Sequence, residues 1–122
     1  MAARAYCILV GLLLLAVGIL GLAGKVPLHL HHNAFHLISG IVALGVGVAT
    51  PHHSRAFARI FGAIYVLLLV LGLAGVADLG PLRLSLNATP VLYVHGAVGL
   101  AGLLAGFLGR AKSEARPMKA AA

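Results

Sequence analysis

The chain has 122 residues, of which 61% are hydrophobic and only 9% are charged. A soluble domain usually carries about 25% charged residues, so this composition excludes a soluble enzyme domain and a disordered chain. The net charge of +7 is typical of nucleic-acid-binding proteins, but the positions of the charged residues explain it as membrane topology. We therefore expect a lipid bilayer, and no nucleic acid, as the partner of this chain.

Four stretches without any charged residue follow one another along the chain, at residues 5–24, 26–54, 60–77 and 84–109. A helix needs about 20 apolar residues to cross a hydrocarbon core about 30 Å thick, so each stretch holds one span. The sequence predicts an all-α, polytopic membrane protein, a four-transmembrane-helix bundle that forms a single domain over residues 1–122. We expect the helices at about 5–24, 34–50, 57–77 and 90–109, followed by a flexible basic tail at 110–122.

Turn-forming residues mark the breaks between these helices. Gly24, with Pro27 shortly after it, is typical of a helix end, and Asn33 is a suitable N-cap for the second helix. Pro51 ends the second helix because the residue before a proline is disfavoured in the α region. The first span has features of a signal peptide, but its apolar run is longer than the about 7–15 residues usual there. We expect it to be retained as a helix.

The basic residues predict the orientation of the four spans. Four spans place both chain ends on one side of the membrane, and that side carries seven of the nine basic residues, while the other side carries Lys25 and Arg83. Because cytoplasmic loops are enriched in Lys and Arg, we expect the plasma (inner) membrane with both termini cytoplasmic.

The two halves of the chain resemble each other. Residues 54 apart match in the first part of each half, for example Pro27 with Pro81, and residues 59 apart match further on, for example His36 with His95. These matches predict two tandem two-helix repeats that share one orientation in the membrane.

Small residues lie on the same faces of the second and fourth helices as His36 and His95. Small residues allow membrane helices to approach closely, so we expect these two helices to meet, or nearly meet, through these faces. The predicted helix-packing residues are Gly40, Gly47, Gly99, Gly102 and Gly106.

The histidines are the candidate site residues, and three interpretations of His36 and His95 stay open. They form a hydrogen-bonded clasp between helices, with Asn33 or Ser39 as polar partners, or they bind a metal ion or haem, or they line a pathway for protons or a small ligand. A metal could also be held at the outer loop, because His32 and His36 are four residues apart and a zinc site needs three or four ligands. That candidate metal set is His29, His31, His32 and His36.

Arg55 and Arg59 begin the third helix, and we expect them to reach lipid head groups. No set of residues typical of catalysis occurs in the chain, so we expect a protein that is not an enzyme.

Two motifs resemble a family. Asn33-Ala-Phe-His36-Leu-Ile-Ser-Gly40 opens the second helix, and Arg55-x-x-Ala-Arg59-x-Phe-Gly-x-x-Tyr65 enters the third. Over residues 6–108 the chain resembles an uncharacterised bacterial family of small four-helix membrane proteins, a domain of unknown function. The family tends to repeat Asn-x-x-His in the last helix, where this chain has Leu92 before His95. The resemblance implies a fold and a membrane location, but no activity and no cofactor.

Three functions therefore remain open. The first is a structural or accessory element that belongs to a larger membrane complex or forms a homo-oligomer, and it is favoured by more glycine-rich faces than one small bundle can cover. The second is a membrane protein with a His-bound metal or haem. The third is a small oligomeric transporter or channel.

Overall fold

A computed structural model of the chain describes residues 1–108, and these form four long helices with no strand among them. The helices are α1 (Ala2–Leu22), α2 (Leu30–Ala49), α3 (Ser54–Leu73) and α4 (Thr89–Leu108). Each is long and apolar enough to span a membrane, which confirms the predicted fold class. A single 3-10 turn (Pro51–His53) joins α2 to α3. The predicted tail at 110–122 lies outside the described residues.

The ends of α1 and α3 have the same geometry. Gly24 has a φ of +71° and Gly75 has a φ of +88°, a conformation that suits glycine because it has no side chain. The amide of Lys25 donates to the carbonyl of Leu20, as the amide of Val76 does to that of Leu71. These bonds form the Schellman motif, which satisfies the last carbonyls of a helix. Because of this stop α3 ends at Leu73, four residues before the predicted position.

The second helix begins earlier than predicted. His29 has an extended backbone and precedes the first residue of α2, and its carbonyl accepts a hydrogen bond from the amide of Asn33. Asn33 is therefore inside the helix and is not its N-cap. Its buried side chain packs against Gly21 of α1, and its Nδ2 atom donates to the carbonyl of Leu28 at 3.3 Å.

Each helix packs mainly on its neighbour in the chain, so the bundle consists of two antiparallel hairpins, α1–α2 and α3–α4. The predicted packing glycines contact mainly the first helix of their own hairpin, and Gly102 also lies against Tyr6 of α1, so they do not join α2 to α4. The physical reason is that α1 and α3 carry glycines of their own, which let each hairpin close on itself. The helices α2 and α4 come close at His36 and His95 instead. Gly40 and Gly47 face α1, while Gly99, Gly102 and Gly106 face α3.

The two hairpins have matching features. Gly24 and Gly75, which follow the first helix of each hairpin with a positive φ, are 51 residues apart. The alignment of the two halves of the sequence paired residues that are 54 apart in this part of the chain. In the second helices, the carbonyls of Gly47 and Gly106, 59 residues apart, each accept a hydrogen bond from an arginine Nε. An internal repeat remains a prediction, to which these shared features add support.

The hairpins meet around a core at the centre of the bundle. The Tyr6 hydroxyl of α1 donates to the carbonyl of Val98 in α4 at 2.9 Å, and the Cys7 thiol contacts the carbonyl of Ser54 at 3.6 Å. Leu14 is almost fully buried beside them. Outside this core, large apolar side chains such as Ile41 and Leu104 are more than half exposed. A continuous apolar surface of this kind is typical of helices that face lipid.

Candidate metal centre

The site lies at the end of the bundle formed by residues 23–29 and 74–88, which we call the long-loop end. The opposite end, where residues 50–53 join α2 to α3, is the short-turn end. Because α2 begins at Leu30, both His32 and His36 are helical and lie one turn apart on the same face. Their ring centroids are 4.5 Å apart.

The third histidine comes from the other hairpin. His95 lies in the second turn of α4, and its ring centroid is 6.1 Å from that of His32. One ring nitrogen from each of the three residues lies within 4.8 Å of the others. We call His32, His36 and His95 the histidine triad. The exposed fractions of its members are 4%, 4% and 2%, so the structure brings three imidazoles together inside the bundle.

Most of the ring nitrogens of the triad have no hydrogen-bond partner among the described residues. The unpartnered and fully buried atoms are His32 Nδ1, His36 Nδ1, His36 Nε2 and His95 Nδ1. A buried polar atom without a partner costs about 1–3 kcal/mol, and native proteins contain few of them. A metal ion would accept a lone pair from each ring and would remove much of this cost.

The predicted hydrogen-bonded clasp is not formed by His36, since neither of its nitrogens has a partner. Asn33 donates to the Leu28 carbonyl instead, because its side chain lies over Gly21 on the α1 side of α2. Ser39 is half-buried and lines a cavity next to the triad. The structure therefore contains a cluster of three histidines where the sequence predicted a hydrogen-bonded clasp.

Two members of the metal set predicted for the outer loop do not join this cluster. His29 and His31 are exposed and are not part of the cluster. Helical geometry explains this, because His31 is next to His32 in the chain and points about 100° away around α2. The structure keeps His32 and His36 together and takes the third nitrogen from His95.

Two cavities adjoin the triad. The smaller has a volume of about 180 Å³ and the larger about 300 Å³, and all three histidines line both. The remaining lining residues are uncharged and mostly aliphatic or aromatic. Those of the smaller cavity are Val17, Val26, Leu28, Pro90, Val91 and Val94.

The loop between α3 and α4 covers the larger cavity. Leu84 and Leu86 of this loop are buried and line the cavity. Asp78 fixes the loop, because its Oδ1 accepts hydrogen bonds from the amides of Leu84 and Ser85 at 2.8 and 3.1 Å. Below the loop, the ring of Tyr65 meets His95 edge-on, with centroids 5.2 Å apart. Apolar side chains therefore surround most of the triad, with Ser39 and Tyr65 as the hydroxyl-bearing residues of the larger cavity.

This arrangement suits a single ion bound by three neutral nitrogens. Ligand nitrogens around a tetrahedral ion at about 2.1 Å would lie about 3.4 Å apart, so small side-chain rotations would bring the triad from 4.8 Å to bonding distance. The adjoining cavities leave room for a further ligand. A haem iron uses one or two axial protein ligands, which would leave the third imidazole without a role.

The arginines at the short-turn end contact protein groups. Arg59 Nε donates to the carbonyl of Gly106 at 2.8 Å, and its guanidinium lies 4.5 Å from the centroid of the Phe107 ring. Arg55 is half-buried in the first turn of α3. Arg4, whose role in packing no sequence motif indicated, donates from its Nε to the carbonyl of Gly47 at 3.0 Å. A role for Arg55 and Arg59 at lipid head groups remains a prediction.

Comparison with known proteins supports the resemblance seen in the sequence. A family model described as "Domain of unknown function (DUF4383)" matches residues 22–108. No curated protein and no solved structure matches the chain. The matched segment contains all three histidines of the triad and most of the chain, and the chain therefore belongs to the DUF4383 family of unknown function.

Proposed function

We propose that this protein is a non-enzymatic integral membrane protein that binds one metal ion through the histidine triad. The observation that carries the proposal is the triad itself: three buried imidazoles from two hairpins, with one nitrogen of each within 4.8 Å of the others. Four of their ring nitrogens are buried without a hydrogen-bond partner among the described residues. Neutral imidazole is a common metal ligand, and three such ligands are enough for a protein metal site that keeps one position open.

The glycine-rich faces no longer favour a structural or accessory role. The glycine-rich faces suggested surfaces waiting for a partner, but Gly40, Gly99 and Gly102 contact neighbouring helices of the same chain. Among the helical glycines of the described residues, Gly45 is the one at which an added Cβ atom would have no neighbour within 4 Å. We therefore favour metal binding as the function of the isolated chain.

We further propose that the long-loop end faces outward and that both chain ends are cytoplasmic in the plasma membrane. Among the described residues, Arg4, Arg55 and Arg59 belong to the short-turn end, while Lys25 and Arg83 belong to the loops of the long-loop end. This asymmetry agrees in direction with the positive-inside rule. The triad would then bind its ion close to the outer surface.

The proposal is tested by the metal content of the protein purified in detergent, after removal of any polyhistidine tag. We expect about one transition-metal ion per chain, as a site with three His ligands requires. The variant His95→Ala should lose the ion, whereas His31→Ala, which removes an exposed histidine one residue from the triad, should keep it. The elution volume in size-exclusion chromatography and the helical circular dichroism spectrum should show that both variants remain folded.

Equal metal content in the wild type and in folded His95→Ala would contradict the proposal, as would a wild type without any metal after growth in metal-supplemented medium. Loss of the ion in His31→Ala but not in His95→Ala would assign it to the exposed histidines His29 and His31 instead.

A further inference from the structure

The charge of the triad and its surroundings identifies the class of ion, and this inference rests on the metal-binding function proposed above. All three ligands are neutral when they bind a metal. The one carboxylate among residues 1–108 is Asp78, and its Oδ1 accepts two backbone amides of the loop. The thiol of Cys7 lies towards the short-turn end, against the carbonyl of Ser54. Among residues 1–108, no anionic side chain lines either of the two cavities beside the triad.

Because no anionic group accompanies the triad among the described residues, a metal ion bound there keeps its full positive charge. The cost of moving an ion from water into a medium of low dielectric constant rises with the square of its charge, so a divalent ion pays about four times as much as a monovalent ion of the same size. Sites for divalent ions offset this cost with carboxylates, thiolates or a bound hydroxide. Among the described residues, neither a carboxylate nor a thiolate accompanies the triad.

A hydroxide on a divalent ion would also need hydrogen-bond partners. The smaller cavity offers aliphatic groups such as Val17, Val91 and Val94 as neighbours for a ligand on the ion. A buried water or hydroxide needs about two to four polar contacts, which these side chains do not supply. The larger cavity adds Ser39 and Tyr65 as hydroxyl-bearing lining residues. It is therefore the smaller cavity that disfavours zinc with a bound hydroxide, the arrangement found where three histidines bind zinc for catalysis.

We propose that the histidine triad binds monovalent copper, Cu⁺. This ion has the lower charge that an apolar and uncharged surrounding requires, and imidazole is a suitable ligand for copper. Zn²⁺ has the same filled d shell and usually takes four ligands. Three nitrogens can complete the coordination of Cu⁺, because its single charge needs fewer donors than the double charge of zinc. The aliphatic walls of the smaller cavity then lie beside a site that needs no water.

The test measures the affinities for Cu⁺ and Zn²⁺ of the tag-free protein in detergent. Cu⁺ is titrated without oxygen against bicinchoninate, a coloured Cu⁺ chelator, and Zn²⁺ against a coloured zinc chelator. We expect one Cu⁺ per chain, bound at least about 100-fold more tightly than Zn²⁺ because of the difference in burial cost. His95→Ala should weaken Cu⁺ binding by more than about tenfold, and His31→Ala should leave it unchanged.

The outcomes separate this inference from the proposed function. Zn²⁺ bound as tightly as Cu⁺, with loss in His95→Ala, would overturn the choice of copper and leave the metal site intact. Binding of neither ion would overturn both. Cu⁺ binding that is lost in His31→Ala and kept in His95→Ala would place copper on the exposed loop and would also overturn the inference.

Discussion

At the scale of single residues, glycine marks the places where two helix backbones touch. A Cβ atom at Gly62 of α3 would lie 2.7 Å from the backbone nitrogen of Leu103 and 2.8 Å from the carbonyl oxygen of Gly99. Both neighbours are main-chain atoms of α4, so they cannot rotate out of the way. The close packing of α3 on α4 in the second hairpin therefore requires glycine at position 62.

Replacing Gly62 by alanine should destabilise the bundle. We expect Gly62→Ala to lower the free energy of unfolding in mixed micelles by about 1–3 kcal/mol, the usual cost of overpacking. Gly45→Ala is the matched control, because the position is helical, exposed and without any neighbour within 4 Å. It should leave stability unchanged or raise it by up to about 1 kcal/mol through helix propensity. Equal effects of the two substitutions would mean that α3 and α4 are not in contact at Gly62.

The histidines show how far single residues could be interpreted from the sequence. The spacing of His32 and His36 predicts a shared face on a helix, and the structure has it. The third partner could not be found this way, because His95 is 59 residues from His36 in the chain and its approach depends on how the hairpins pack. His29 and His31 are closer to His32 in the chain, so the sequence favoured them, although the structure does not bring them into the cluster.

At the scale of helices, charge-free stretches predict the number and order of the spans because water and lipid separate charged from apolar residues. The boundaries depend on finer effects. The start of α2 was misplaced because Asn33 was interpreted as a cap, although its side chain packs over Gly21. The end of α3 was misplaced because the positive φ at Gly75 stops the helix before its apolar run is finished.

The contact between hairpins depends on a few polar bonds. The hydroxyl of Tyr6 in α1 donates to the carbonyl of Val98 in α4 at 2.9 Å, and the side chain is 7% exposed. No sequence pattern indicated this bond, because a tyrosine near the start of a span is equally suited to the membrane interface.

Removing this bond should weaken the association of the hairpins. We expect Tyr6→Phe to reduce the free energy of unfolding by about 0.6 kcal/mol, the average for hydrogen bonds between membrane helices, and by no more than the measured maximum of about 1.7 kcal/mol. Tyr93→Phe serves as control, since Tyr93 is 76% exposed on α4, and it should change stability by less than about 0.5 kcal/mol. An unfolding curve of Tyr6→Phe that coincides with the wild type would show that the bond contributes nothing to the packing.

At the scale of the whole molecule, the triad exists only when both hairpins are in place. His32 and His36 belong to the first hairpin and His95 to the second. The core around Tyr6 and Leu14 occupies the centre of the bundle, while the triad and its cavities lie at the long-loop end. Tyr65 links the two regions, because it belongs to the core and its ring contacts His95.

The proposed orientation predicts which end of the bundle is accessible from outside the cell. In a Cys7→Ala background, Asn87→Cys in the loop between α3 and α4 should react with a membrane-impermeant thiol reagent in intact cells. His52→Cys in the turn between α2 and α3 should react only after lysis. Both positions are exposed, so a difference in labelling reports sidedness. The reverse pattern would place the triad near the cytoplasmic surface.

The most direct measurement of the central claim, a metal ion bound by the histidine triad, is X-ray absorption spectroscopy of the metal-loaded protein. We expect about three nitrogen neighbours at about 2.0–2.1 Å, with the outer-shell pattern of imidazole rings, and the loss of this signal in His95→Ala. A spectrum dominated by sulfur neighbours, or an imidazole signal that persists unchanged in folded His95→Ala, would contradict it.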